Sequence, residues 1–215
     1  MRRSGGVQLT LAALLAVGAL AQAPAPRLDP EQFRARDSHQ GVTIAAVPLP
    51  DTPEAEKIFG PRRGPTRVGV LPVEVVIANG RAELVSVALE RIVLETDSER
   101  FVRIDPEEIS WLLFPPPEEK KSSRRPAPLP PFPTSKKSDK NRMKREEAEA
   151  ALRQAELRAG LAAAGGLARG YLYFDLRGKT IDLERARLYV PEVVGTTSGE
   201  ALLFFEIEFK PYAQP

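Results

Sequence analysis

Near the end of the chain Phe205, Ile207 and Phe209 alternate with Glu206, Glu208 and Lys210, and further back Val73, Val75 and Ile77 alternate about Glu74. A period of two marks a strand with one face buried and the other wet. A strand that keeps a polar face points to antiparallel pairing, because parallel strands buried on both faces are apolar throughout. A chain built of such segments must bring two apolar sheet faces together.

Further stretches extend the pattern. "GVTIAAVPL" (41–49) reads as an opening strand, and residues 91–95, 101–104 and "RARLYVPEV" supply others. In "GYLYFDL", Leu172, Phe174 and Leu176 share one face and Tyr171, Tyr173 and Asp175 the other. The first set is expected in a core. The tyrosines are expected to cover a partly wet surface with their hydroxyls solvated. Asn79 and Gly80 tolerate positive φ and predict a hairpin turn, with residues 84–89 returning as the partner strand. Pro72 lacks a ladder donor and predicts an edge, a bulge or a strand entrance. Two short helices are expected. One follows Asp51 or Thr52 as cap, with Pro53 in its first turn. The other follows Asp105, with Trp111 and Leu112 covering an open end of the sheet.

The middle of the chain breaks the pattern. "PPPEEKKSSRRPAPLPPFPTSKKSDKN" (115–141) is rich in proline, serine and lysine and poor in core formers. It predicts a mobile insert over 115–144, extended in its proline-rich part. Helix formers begin at Arg145, with a narrow stripe of Ala148, Ala151, Leu152, Ala155 and Ala159, and Gly165 and Gly166 stop them. So small a face is marginal unless it docks on the sheet. Seven or eight strands on both sides of the insert predict one mainly β domain over 41–211, an antiparallel β-sandwich.

The start of the chain has a separate character. Arg2 and Arg3 precede an apolar run over 9–20 and small residues at Ala19 and Ala21, the layout of a secretory signal peptide, 1–21. That run is short for a membrane span. Residues 22–40 are expected to be a flexible N-terminal segment, and the protein to be periplasmic or extracellular. Losing Arg2 and Arg3 brings the 31 Lys and Arg down to the 29 of Asp and Glu, so nucleic acid has no general attraction. The absence of cysteine excludes disulfides and thiolate metal sites.

With "EKIFG", "GVLPVEVVIANG", "GYLYFDL" and "ALLFFEIEF" in this order, the chain resembles the immunoglobulin-like domains of exported bacterial proteins, most of uncharacterised function. The resemblance covers about 41–114 and 165–211. It implies an immunoglobulin-like antiparallel β-sandwich with short helices and a long basic proline-rich insert followed by a helix. It carries no catalytic residues onto this chain, and the paired cysteines of true immunoglobulin domains are missing.

Few residues offer chemistry. His39 is the single histidine and has no ligand pattern beside it. Thr196, Thr197 and Ser198 lie in "GTTSG", which reads as a turn. Asp105, Glu107 and Glu108 suit a helix start. Asp175, Asp182 and Glu184 can meet across a turn but lack a calcium-loop spacing. No cofactor, metal ligand or catalytic residue is expected. Charge segregation is more pronounced. Lys120, Lys121, Arg124, Arg125, Lys136, Lys137, Lys140, Arg142, Lys144 and Arg145 face only Glu118, Glu119 and Asp139 across 115–145. These ten cations are the candidate interaction residues. The expected function is a non-enzymatic bacterial envelope interaction or assembly domain, binding an envelope protein, an anionic membrane surface or a polysaccharide. The alternative is a hydrolase or calcium-binding module with carboxylates that the sequence does not single out.

Overall fold

The computed structural model describes residues 30–116 and 136–213. The expected signal peptide, the first part of the 22–40 segment and residues 117–135 of the insert lie outside the described residues.

The described chain is mainly β, with three antiparallel sheets. The first has the order β1 (Arg36–His39), β2 (Val42–Pro48), β3 (Val70–Asn79), β8 (Leu167–Asp175). The second runs β10 (Val193–Gly195), β4 (Val85–Val87), β7 (Leu161–Ala162), and the third β11 (Phe205–Glu208), β9 (Arg187–Val190), β5 (Val93–Glu95), β6 (Arg100–Phe101). Alternation sets which face each strand buries. Ile44, Val73, Val75, Ile77, Leu172 and Phe174 of the first sheet share one core with Val85, Val87, Leu188, Val190, Phe205 and Ile207 of the other two. Strands from both sides of the insert therefore close around a common interior.

The opposite face of the first sheet is also covered. Helices α1 (Thr52–Phe59), α2 (Pro106–Leu113) and α3 (Lys136–Ala155) lie over it, and Phe59, Ile109 and Leu152 pack with Val70 and Tyr173. β3 is therefore buried on both faces although both its ladders are antiparallel. Glu74 remains tolerable on that face because Arg169 pairs with it. Tyr173 is 1 % exposed, not the wet cover its alternation suggested. Its hydroxyl donates to the Leu152 carbonyl at 2.8 Å. That carbonyl belongs to the last turn of α3, where helices leave oxygens without an internal partner.

Several local expectations change for similar reasons. The 22–40 segment contributes β1, which pairs with β2 in the register Arg36 to Ala45 through His39 to Val42. Asn79 and Gly80 do not make a hairpin. β4 pairs with β10 and β7, and the Asn79 side chain is buried, its Nδ2 2.7–3.1 Å from the carbonyls of Glu83, Ala162 and Ala163. The pair marks the point where the chain changes sheets. Pro72 sits inside β3 rather than at its start. Its carbonyl accepts from Leu49 just where the β2 ladder ends at Pro48, so the missing donor faces past the last rung. Asp51 and Asp105 stand at the helix N-caps without a side-chain cap bond.

α3 begins nine residues before Arg145 and ends at Ala155, short of the expected Gly165 stop. It docks through Ala148 and Leu152, while Ala159 is exposed beyond its end. Residues 156–162 then turn around the free side of β8. Leu157 donates to the Tyr171 carbonyl at 3.0 Å, enters the main core, and leads into β7.

Candidate functional site

α2 and α3 run antiparallel. Arg145 lies against Trp111 and Arg153 against Glu107, so α2 flanks only the C-terminal half of its longer neighbour. At 1.5 Å per residue α3 is about 30 Å long and α2 about 12 Å. The N-terminal turns of α3 extend past the end of α2, and the insert leaves and returns at this end.

The cations expected to bind divide accordingly. Lys120, Lys121, Arg124 and Arg125 lie outside the described residues. Lys136 and Lys137 stand in the first turn of α3. Lys140 is exposed and has no ion-pair partner among the described residues, and neither has half-buried Lys144. Arg142 reaches Asp139 at 4.0 Å and Glu146 at 3.9 Å. Arg145 places its guanidinium carbon 3.6 Å from the centre of the Trp111 ring. The structure thus gathers the described cations on one projecting helix.

Sequence reading put Trp111 and Leu112 over the sheet, but they are 42 % and 47 % exposed, and Pro106, Ile109 and Ser110 face inward instead. The inward stripe of α2 falls two positions earlier than hydrophobicity suggests. Met143, 57 % exposed, is on the N-terminal half of α3. The half-exposed indole of Trp111 and the cation of Arg145 therefore meet between the two helices.

A second concavity separates β1 from β11, which are the edges of two different sheets. It encloses about 700 Å³ and is lined by Arg34, Asp37, His39, Phe204 and Glu208 among others. Asp37 closes its floor. One oxygen accepts from the Ser38 amide at 2.8 Å, the other from the Glu206 amide of β11 at 2.9 Å, and His39 Nε2 lies 2.9 Å from the carboxylate. This carboxylate bridges two sheet edges that share no ladder. The imidazole rests against Phe205, with ring centres 5.1 Å apart. Neighbouring Ser38 Oγ bonds Thr43 Oγ1 at 2.9 Å rather than the imidazole. The role this geometry supports is edge closure. A two-residue spacing on one strand face was the signal in "RDSH" that pairs Asp37 with His39.

The "GTTSG" hydroxyls are engaged. Glu83 accepts from the amides of Thr197 and Ser198 and from Ser198 Oγ at 3.0 Å, while Thr196 Oγ1 donates to the Leu84 carbonyl. The Ser198 amide, followed by Arg81, holds the Glu83 carboxyl at about 2, below its ordinary 4.5. A carboxyl held low in the fold adds stability above pH 4.5 and loses it as pH falls through 2. Protection of the Thr197 and Ser198 amides in hydrogen exchange is expected to fall across that interval, and Glu83→Gln to remove the pH dependence. Unchanged protection down to pH 2 would show that Glu83 does not hold the turn.

Asp175 and Asp182 each accept a backbone amide two residues on, from Arg177 and Glu184. Among the described residues no group of three His, Asp or Glu side chains gathers to hold a metal ion. No described helix is long and apolar enough to cross a membrane. Scans against protein-family models, curated proteins and solved structures find no match to this chain.

Proposed function

We propose that the chain is a non-enzymatic interaction or assembly domain of the bacterial envelope, an exported immunoglobulin-like β-sandwich that binds an anionic partner through the projecting half of α3. The single observation behind this reading is that α3 carries its charges in the reverse of the stabilising order. Its first ten residues, 136–145, hold six cations and Asp139; its last ten, 146–155, hold Glu146, Glu147, Glu149 and Arg153. Aligned peptide dipoles make the N-terminal end of a helix positive, so each cation in the first turn, Lys136 and Lys137, is disfavoured by about 0.3–1 kcal/mol. Cations ahead of their acidic partners are also the weaker order for pairs spaced by four. Packing gives no reason for this arrangement, because α3 docks through Ala148 and Leu152 in its other half. A negatively charged partner removes the repulsion on binding. The sandwich reading is supported by the single core that the three sheets share.

The triple variant Lys140→Glu, Arg142→Glu, Lys144→Glu tests the proposal. It is expected to melt no lower than the wild type and to bind immobilised polyglutamate at least about tenfold more weakly at low salt, with the difference vanishing at high salt. Deleting 118–142 is expected to act likewise, since the docking residues of α3 remain. Equal retention of wild type and both variants would overturn the proposal.

A further inference from the structure

Asn79 followed by Gly80 is the dipeptide in which an asparagine side chain is most open to attack by its own backbone, because glycine has no Cβ to shield its nitrogen. In the fold each participant in that attack is held. Asn79 is 2 % exposed. It pairs with Val42 of β2, and its backbone amide donates to the Gly166 carbonyl at 3.0 Å. The nucleophile, the Gly80 nitrogen, donates its hydrogen to the Gly41 carbonyl at 2.7 Å. The side-chain amide is fixed at both atoms, Nδ2 by the carbonyls of Glu83, Ala162 and Ala163 and Oδ1 by the Arg81 amide at 2.9 Å. We infer that Asn79 and Gly80 form a self-modification site that folding shuts: the open chain converts Asn79 to aspartate or isoaspartate, and the product no longer fits the fold.

The reaction needs only water. The Gly80 nitrogen gives up its proton to solvent base and attacks Asn79 Cγ. The new N–C bond closes a cyclic imide, the Cγ–Nδ2 bond breaks, and ammonia leaves with a proton taken from water. Water then adds at either imide carbonyl, and the bond from that carbon to the ring nitrogen breaks. Opening at Cγ gives aspartate. Opening at the main-chain carbonyl gives isoaspartate, in which the backbone runs through the former side chain.

Neither product suits the native position. An aspartate carboxylate has no hydrogen to donate, so the three carbonyls that Nδ2 now satisfies would face a buried charge. Isoaspartate lengthens the backbone between the Val42 pairing and Gly80, where the chain leaves β3 for the next sheet. The fold also resists replacement of the glycine. A Cβ at residue 80 would lie 3.0 Å from the Gly41 carbonyl oxygen, so the residue that makes the pair reactive is the one that this close approach favours. On the export reading, a chain kept unfolded loses its capacity to fold with time.

The full chain is held at mildly alkaline pH in native buffer and in urea, and peptide mapping follows amide loss. Asn141, the other asparagine, precedes Arg142 and serves as the internal comparison. In buffer Asn79 is expected to lose its amide at least about a hundredfold more slowly than in urea, since the fold opens only rarely there. In urea it is expected to convert at least about tenfold faster than Asn141, because only its neighbour lacks a Cβ. The fraction that refolds on dilution, read by near-ultraviolet circular dichroism, is expected to fall in step with conversion. Gly80→Ala is expected to slow conversion in urea by roughly tenfold and to keep its own starting refolding yield over the same period. Equal amide loss at Asn79 in buffer and in urea would overturn the protection. Complete refolding of converted chains would overturn the misfit of the product. A decline in refolding that Gly80→Ala shares at the same rate would place the damage elsewhere and overturn the role of the pair.

Discussion

Replacing Gly170 with alanine is expected to destabilise the fold by about 3 kcal/mol, near the upper end for overpacking in a rigid interior. A Cβ at this position would come 2.4 Å from the Leu157 amide nitrogen, 2.6 Å from its Cα and 2.8 Å from the Glu156 carbonyl carbon. All three are backbone atoms, so no side chain can rotate away. The reason lies in the route of the chain. Gly170 shares the inward face of β8 with Leu172 and Phe174, and the segment after α3 crosses that face as it passes from the helix layer to the core. Moving the crossing would strain the Leu157 to Tyr171 hydrogen bond and the docking of α3 together. Gly178 serves as the control. It has open space but a φ of +71°, so alanine there is expected to cost about 1 kcal/mol through backbone strain alone. Denaturant unfolding measures both. A Gly170→Ala protein within roughly 0.5 kcal/mol of wild type would mean that the segment does not cross there.

Tyr173→Ala is expected to cost about 4 kcal/mol, in the range for emptying a buried aromatic site. The ring packs edge-on to Phe59 of α1, with centres 5.9 Å apart, and underlies Leu152 of α3. Its loss therefore loosens two helices from the sheet. Tyr173→Phe isolates the hydroxyl. The ring stays and the Leu152 carbonyl loses its donor, for about 1–2 kcal/mol. Burial, with Glu156 and Tyr171 nearby, pushes the Tyr173 phenol well above its ordinary 10, and burial raises Tyr171 to about 12. Groups raised in the fold contribute their full stability below pH 10 and lose it as pH climbs towards their folded values. The wild type is thus expected to lose stability progressively above pH 10, and Tyr173→Phe to show a flatter decline. Parallel alkaline curves for the two proteins would contradict the buried phenol.

How much of this was legible in the sequence depends on the range of the interaction. Alternation named Leu172, Phe174, Phe205 and Ile207 as core residues, and all four are buried. A period of two states which residues share a face; it does not state what covers that face. Tyr171 is half-buried as a partly wet cover would be, but Tyr173 was placed on the correct side of β8 in the wrong surroundings, since three helices from distant parts of the chain cover it. Asn79 and Gly80 carried a true turn signal, yet the destination of the chain was another sheet, because the buried Asn79 amide finds its partners at Glu83, Ala162 and Ala163. At the candidate site the run of cations was plain in the sequence. The exposed Trp111 was not, since hydrophobicity alone assigns a tryptophan inward and only the rotation of α2 turns it out.

The sequence by itself determined most of the longer strands, which of their residues share a face, and the placing of ten cations in one short interval, but not β1 or β7. These are local properties, set by the chemistry and spacing of neighbouring residues. Tertiary structure alone decided that the first sheet is covered on both faces, that residues 156–157 need the bare backbone of Gly170, that Asp37 bridges two sheet edges, and that Arg145 lies on Trp111. Each of these joins parts of the chain separated by 13 residues or more, and such contacts depend on how the elements pack rather than on the preference of any one of them.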